Sequence, residues 1–298
     1  MSHATTCRYG LIGSGIEMSL SPSLHEVEGA HHGLDLAYDL IDVDHPGTPA
    51  DLGRLLGDAE AAGYAGLNIT HPFKREVISH LDRLSPQAAD IGAVNTVVFD
   101  GGRRVGHNTD AVGFAESFRA GLPGAPTRHV VQLGAGGAGS ACAYALLSNG
   151  TGRLTLADPD AARRAELTEA FAARFGADRI TGVAPDDLGE ALASADGVVN
   201  ASPVGMHSHP GTPMPVDLLF PGLWLVDIVY MPLDTPLLRA ARSRGVRAIG
   251  GAAMCVFQAA AGFELITGRT PDTGRMLEHL RRLLAKRSGH PTTPRRVT

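Results

Sequence analysis

Two side chains able to exchange a proton with an alcohol stand at the ends of apolar segments early in this chain. Lys74 closes Asn68-Ile69-Thr70-His71-Pro72-Phe73-Lys74, and Asp110 closes Gly106-His107-Asn108-Thr109-Asp110. An ammonium and a carboxylate held together can grip a hydroxyl and move its proton. A third cluster, Gly92-Ala93-Val94-Asn95-Thr96, has the same polar character. In open α/β sheets, ligands bind at the carboxyl ends of strands. Three such ends bearing Asn, Thr, Lys and Asp suit a polyhydroxylated small molecule. Taken singly, each cluster reads as turn and cap residues, because Asn and Asp are common there for backbone reasons. A fourth cluster is Ser19-Leu20-Ser21-Pro22-Ser23-Leu24-His25. Ser21 suits an N-cap and Pro22 the first helical position. The same two hydroxyls, Ser19 and Ser21, at a helix start can instead hold a carboxylate.

A nucleotide-binding signal lies further on, in Gly134-Ala135-Gly136-Gly137-Ala138-Gly139. It follows the apolar run Val130-Val131-Gln132-Leu133 and opens into the apolar stretch 141–147. A second short strand, Leu154-Thr155-Leu156-Ala157, ends on Asp158. Strand, glycine turn, helix, strand and an acid about 20 residues on make a dinucleotide fingerprint. The glycines let backbone approach a pyrophosphate, and the helix N-terminus offers N–H groups and a positive dipole. Gly10-Leu11-Ile12-Gly13-Ser14-Gly15 lacks the helix and the acid, and reads as a strand-to-loop exit.

The elements that must position these residues alternate. Ahead of the glycine loop, strands are expected at 8–12, 36–43, 65–69, 95–99 and 104–107, with helices at 23–32, 49–62, 74–81, 85–91 and 110–121. Such alternation implies an α/β sheet with helices on its faces. Asp100-Gly101-Gly102 signals a hairpin, so this sheet should be mixed, with an antiparallel edge. After the glycine helix, strands are expected at 181–183, 197–201, 223–229 and 246–249. Helices are expected at 160–175, 186–193, 235–244, 252–267 and 273–284.

Composition narrows the function classes. At 298 residues the chain suits two domains. A formal net charge of -5, with no basic block, gives no nucleic-acid footprint. No apolar run is long enough to span a bilayer. The N-terminus lacks the order of a signal peptide, and three widely spaced cysteines form no disulfide or zinc pattern, so a cytoplasmic location is expected. Cys7, Cys142 and Cys255 read as small buried apolar residues. Histidines at 31–32 and at 207 and 209 lack ligand spacing, so no metal is expected. Residues 286–298, polar, basic and Pro-rich, read as a disordered tail.

In order along the chain stand Ser-x-Ser-Pro-x-x-His, Asn-x-Thr-x-Pro-x-Lys, Gly-Ala-Val-Asn-Thr, Asn-Thr-Asp, Gly-x-Gly-Gly-x-Gly, Asn-Ala-Ser-Pro-Val-Gly-Met (Asn200–Met206) and Met-x-x-x-Gln (Met254–Gln258). Their order, from about Tyr9 to Leu284, resembles the shikimate dehydrogenase family. The resemblance implies a two-domain α/β fold. An N-terminal α/β substrate domain with a mixed sheet (1–110 with 252–285) would flank a Rossmann-like, doubly wound dinucleotide-binding domain (111–251), with catalysis in the cleft. It places Lys74 and Asp110 on the family's catalytic pair and Ser19 and Ser21 on its carboxylate-binding serines. Thr70, Asn95, Tyr230 and Gln258 fall on other substrate contacts. Gly134, Gly136, Gly137, Ala138, Gly139, Asp158, Arg163, Asn200, Ser202, Met206, Val229, Gly251 and Met254 fall on the cofactor side. The implied reaction interconverts a ring alcohol of a cyclohexane or cyclohexene carboxylate with its ketone; a homodimer is left open.

Two departures matter. Biosynthetic members usually carry Pro-Ile-x-His before the first serine, where this chain has Ser14-Gly15-Ile16-Glu17-Met18. They also carry Asn-Arg-Thr with a further Arg after the second cofactor strand, where this chain has Ala157-Asp158-Pro159-Asp160. Asp158 can accept from a free ribose hydroxyl and would repel a 2′-phosphate, which favours NAD. Arg163 and Arg164 leave NADP open. Both departures resemble the NAD-dependent quinate/shikimate dehydrogenase branch, some members of which carry Thr at the position of Ser21. Shikimate therefore fits readily, and quinate use stays open. Other readings also remain: an amino-shikimate or amino-quinate dehydrogenase, a dehydrogenase of a folate-bound carbon unit, and a non-catalytic NAD sensor. Burial lowers a lysine pKa and a neighbouring carboxylate raises it, so the sequence leaves the base unassigned between Lys74 and Asp110.

Overall fold

The computed structural model describes residues 6–287. The first half of the chain runs β1 (Cys7–Gly13), α1 (Ser21–His31), β2 (Leu36–Asp42), α2 (Leu52–Ala61), β3 (Tyr64–Ile69), β4 (Arg83–Leu84), α3 (Pro86–Ile91), β5 (Thr96–Asp100), β6 (Arg103–His107) and α4 (Asp110–Gly121). Its six strands form one sheet in the order β2-β1-β3-β5-β6-β4. Strands β1, β2 and β3 are parallel, β5 is antiparallel to both β3 and β6, and β4 is parallel to β6. The sheet is therefore mixed. The hairpin does not form the edge, because the two-residue β4 pairs beyond β6. So short a strand carries too little periodicity to read from sequence.

The second half runs β7 (His129–Leu133), α5 (Gly137–Ser148), β8 (Arg153–Ala157), α6 (Ala161–Phe175), β9 (Ile180–Val183), α7 (Leu188–Ala193), β10 (Gly197–Asn200), β11 (Trp224–Asp227), α8 (Pro236–Ser243) and β12 (Arg247–Gly250). These strands make a fully parallel sheet, β12-β11-β10-β7-β8-β9. Strands β7, β10 and β11 are buried throughout, as a sheet covered on both faces requires. The order reverses beside β7, so a crevice opens where the chain leaves β7 and β10.

Two closing helices, α9 (Ala252–Thr267) and α10 (Thr273–Arg287), return to the first sheet. Phe263 of α9 joins Tyr9, Leu11 and Tyr38 in one core. Leu280 and Leu284 of α10 pack with Leu20, Leu24 and Val256. Helix α4 crosses between the halves: Gly113 lies so near α9 that a Cβ there would sit 2.7 Å from Met254 O. Phe114, on the same helix, belongs to the core of the second sheet.

Several expectations are revised. Residues 74–81 form only a 3₁₀ turn over Glu76–His80, not an α-helix. Ser21 is not an N-cap: α1 begins on it, and Leu20 precedes it without a side-chain cap bond. Cys142 is buried, whereas Cys7 and Cys255 are only half-buried. Helix α10 continues through Lys286 and Arg287, residues read as tail, since cations suit a helix C-terminus. The rest of that tail reading lies outside the described residues. Among the described residues, no helix is long and apolar enough to cross a membrane, and no group of three or more His, Cys, Asp or Glu could hold a metal.

Candidate active site

Lys74 follows the end of β3, and Asp110 opens α4. Their side chains meet: Lys74 Nζ donates to Asp110 Oδ2 at 2.6 Å, both side chains being largely buried. The other carboxylate oxygen accepts from Asn95 Nδ2 at 2.9 Å. Asn95 is itself fixed, because its Oδ1 accepts the Thr109 N–H at 2.7 Å. Behind it, Asn68 Nδ2 donates to Asn95 O and to Thr96 Oγ1, and Asn68 Oδ1 accepts from Tyr38 Oη at 2.8 Å. The polar ends of β3, β5 and β6 thus form one network that terminates on the Lys74–Asp110 pair. Asn68 and Thr109 stood in the sequence clusters without an assigned role; Tyr38 carried no local signal.

Ser19 and Ser21 lie at the mouth of α1, with their hydroxyls 3.2 Å apart. The Ser21 N–H is taken up by Ser19 Oγ, so neither hydroxyl caps the helix interior. Burial pushes the Tyr38 phenol far above the ordinary range, with Tyr9, Cys255 and Tyr230 adding to the rise and Ser21 opposing it. Burial likewise raises the Tyr230 phenol and takes the Cys255 thiol up to about 12. His25, one turn along α1, is stacked on Tyr38 and buried, which lowers its pKa to about 3 and keeps it neutral. Gln258 lies alongside Thr109, whose hydroxyl donates to Gln258 Oε1 at 3.5 Å. Thr70 follows β3, its methyl against Gly13, where a Cβ would sit 2.3 Å away. The loop carrying Ser19 hangs on Asp42, whose carboxylate accepts from Gly15, Ile16 and Asp44 N–H groups.

The glycine loop faces this pair. A Cβ on Gly137 would lie 3.2 Å from the Lys74 stem, whereas one on Gly136 would meet open space. Gly134 has φ +101°, and its Cα packs on the chain after β10: a Cβ would sit 2.8 Å from Ala201. Gly139 lets α5 close onto the turn, since a Cβ there would be 2.3 Å from Gly134 O. Gln132, fully buried in β7, pins the turn by donating to Gly134 O and Gly139 O at 2.8 Å each. In sequence, Gln132 carries only a strand signal. Ala138 lies in the first turn of α5, whose N–H groups lack intrahelical acceptors. Open space at Gly136, free N–H groups and an acid at the tip of β8 fit a dinucleotide phosphate and ribose.

Asp158 is buried, accepting from Ala135 N at 2.7 Å and Asp160 N at 2.8 Å. Arg163 reaches Asp160 at 3.3 Å and stands 4.0 Å from Asp158. Asn200 is buried, and its amide is spent on the loop itself: it donates to Val204 O and Asp227 Oδ1 and accepts from Ser202. Asn200 and Ser202 therefore shape the loop beside Gly134. Met206 at the loop's far end is exposed. Val229 and Gly251 touch backbone to backbone: a Cβ on Gly251 would lie 2.0 Å from Ile228 O. Met254, in the first turn of α9, is buried. Across the cleft, Arg75 Nη1 meets both Glu166 oxygens at 2.8 and 2.9 Å.

Residues 11–97 match the family description "Shikimate dehydrogenase substrate binding domain", and residues 130–208 match "Saccharopine dehydrogenase NADP binding domain". A shikimate dehydrogenase (NADP(+)) of Streptomyces avermitilis is 54% identical, over 92% of this chain and 94% of that protein. The chain belongs to the shikimate dehydrogenase family. A quinate/shikimate dehydrogenase (NAD(+)) of Corynebacterium efficiens is 46% identical, over 90% of this chain and 95% of the relative. The solved structure of quinate dehydrogenase from Corynebacterium glutamicum in complex with NAD superposes with a TM-score of 0.89 at 43% identity, covering 93% of this chain and 99% of that one. As a member of this family the chain is a nicotinamide-dinucleotide oxidoreductase acting on a CH–OH group of a shikimate- or quinate-type small molecule. The two-domain α/β architecture agrees with the family.

Proposed function

We propose that the protein interconverts shikimate with its 3-dehydro ketone and prefers NAD, with Lys74 as the group that handles the proton. The carrying observation is the 2.6 Å Lys74–Asp110 contact beside Gly137 of the glycine loop. Both Asp110 oxygens already accept, one from Lys74 and one from Asn95. A carboxylate so occupied orients its partner and is poorly placed to take a further proton. Lys74 uses one of three N–H directions on Asp110, leaving others for a substrate oxygen. In reduction the Lys74 ammonium holds the substrate oxygen and gives a proton to the developing alkoxide; in oxidation Lys74 first releases one proton to solvent, enters as the neutral amine and then takes the hydroxyl proton. When bound, the nicotinamide accepts or supplies the hydride at the ring carbon. Ser19 and Ser21 suit the substrate carboxylate, with Tyr230 beside them; Asn95, Thr70 and Gln258 line the hydroxyl side.

The buried carboxylate of Asp158 supports NAD, since a 2′-phosphate would meet its charge. Arg163 is tied to Asp160 and would have to leave it to serve NADP. A ring amine at the reacting position, protonated near neutral pH, would set a second cation beside the Lys74 ammonium, which supports a hydroxyl substrate. The test is a panel of shikimate, quinate and their amino analogues, each with NAD and with NADP. Shikimate with NAD should give the highest kcat/KM. Turnover confined to an amino analogue, or dinucleotide binding without turnover, would overturn the assignment.

A further inference from the structure

Arg287 closes α10 more than 250 positions from Ser19 in sequence, yet sits at the serine site. Its Nη1 donates to Met18 O at 2.7 Å, the carbonyl directly preceding Ser19. The same nitrogen lies 3.9 Å from the Met231 sulfur, directly after Tyr230. One guanidinium therefore bridges the serine loop and the Tyr230 loop. Both of those contacts are uncharged, a carbonyl and a thioether. Its positive charge is felt at the Tyr230 phenol, where it opposes the upward push of burial.

The placement of α10 is itself secured. Arg275 donates to both oxygens of the buried Glu28 at 2.6 and 2.9 Å, and Ser23 pairs with His279 at 2.8 Å. Both contacts join α10 to α1, the helix that starts at the serine pair. Elsewhere near that pair, His25 is neutral and the Lys74 ammonium is engaged by Asp110. Two hydroxyls bind a carboxylate without neutralising it, and the chain as a whole is acidic. A cation on the rim supplies what the hydroxyls lack.

We propose that Arg287 is a positioning and specificity residue for the substrate carboxylate, holding the serine and Tyr230 loops together while adding positive field at the acid end of the ring. This rests on the carboxylic-acid substrate proposed above. The test compares wild type, R287Q and R287K in the full chain, with shikimate and with shikimate methyl ester, across a range of ionic strength. R287Q should lower kcat/KM for the acid by about three- to tenfold, mostly through KM, and flatten its salt dependence. The ester should change less than twofold, and R287K should recover most of the loss on the acid. Equal losses on acid and ester would make Arg287 a purely structural clamp and overturn the proposal, as would unchanged kinetics in R287Q. Wild type failing to turn over any ring acid would instead remove the functional reading, and this proposal with it.

Discussion

Removing Lys74 and Asp110 separately and together tests whether they act as one device. At 2.6 Å and an effective dielectric of about 20, their gross attraction is about 6 kcal/mol. Desolvation of two largely buried groups takes back a large share, so a net coupling of about 3 kcal/mol is expected, roughly a hundredfold in rate. Loss of a positioned acid/base group costs about 10²–10⁴-fold. Lys74→Met should therefore lower kcat about a thousandfold with little effect on KM. Asp110→Asn leaves the ammonium unoriented and should cost about a hundredfold. Independent action would make the double variant about 10⁵-fold slow, whereas a single device leaves it near the Lys74→Met level. Steady-state shikimate oxidation measures the cycle, and NADH fluorescence titration checks that cofactor binding survives in each variant. Lys74→Met retaining kcat within threefold, or a fully additive double variant, would refute the assignment.

Other consequences follow from single contacts. Asp158→Asn removes the charge and also leaves either the Ala135 or the Asp160 N–H without its acceptor; both cofactors share that second loss, so the NADP-to-NAD ratio of kcat/KM should still rise about tenfold as repulsion of a 2′-phosphate is lost, and an unchanged ratio would take Asp158 out of cofactor choice. Gly197→Ala places a Cβ 2.0 Å from the buried Trp224 ring and should cost about 1–3 kcal/mol, seen as a lower thermal midpoint. Burial alone would raise the Asp42 carboxyl, but N–H donors from Asp44, Ile16, Gly15 and Glu17 outweigh it and hold it below the usual value. A depressed folded value means this stabilisation is complete above the unfolded pKa of about 3.9 and is lost as pH falls through the folded value. Asp42→Asn should accordingly raise KM for shikimate at pH 7 with kcat nearly kept. Its thermal midpoint should trail wild type above pH 5, and the two should converge in acid; a constant gap down to pH 2 would exclude the carboxylate as the cause.

How much was legible depended on whether a residue's role is local. The glycine turn, the strand before it and the acid after it sit within one βαβ unit, where spacing is geometry, so the fingerprint could be read directly. Lys74 and Asp110 stood out because each follows a strand; Asn95 instead precedes β5, and it reaches them because β5 runs antiparallel to β3. That they bond to one another depends on β3, β5 and β6 being neighbours, which requires the antiparallel β3–β5 pairing and not just the alternation of elements. The apolar spacing of 74–81 fits a helix, whereas the chain forms only a 3₁₀ turn over Glu76–His80.

By itself the sequence determined the chemistry available: an ammonium, a carboxylate, paired hydroxyls and a phosphate-ready loop, each set by residue type and near neighbours. Only the tertiary structure decided which of them meet. Gln132 pins the glycine turn from within a strand that looks merely apolar, and Asp42 holds the serine loop from the end of a different strand. Arg287 reaches that loop from the last turn of the last helix. Such contacts join residues whose separation along the chain carries no periodic signal, because they exist only once sheets and helices have packed.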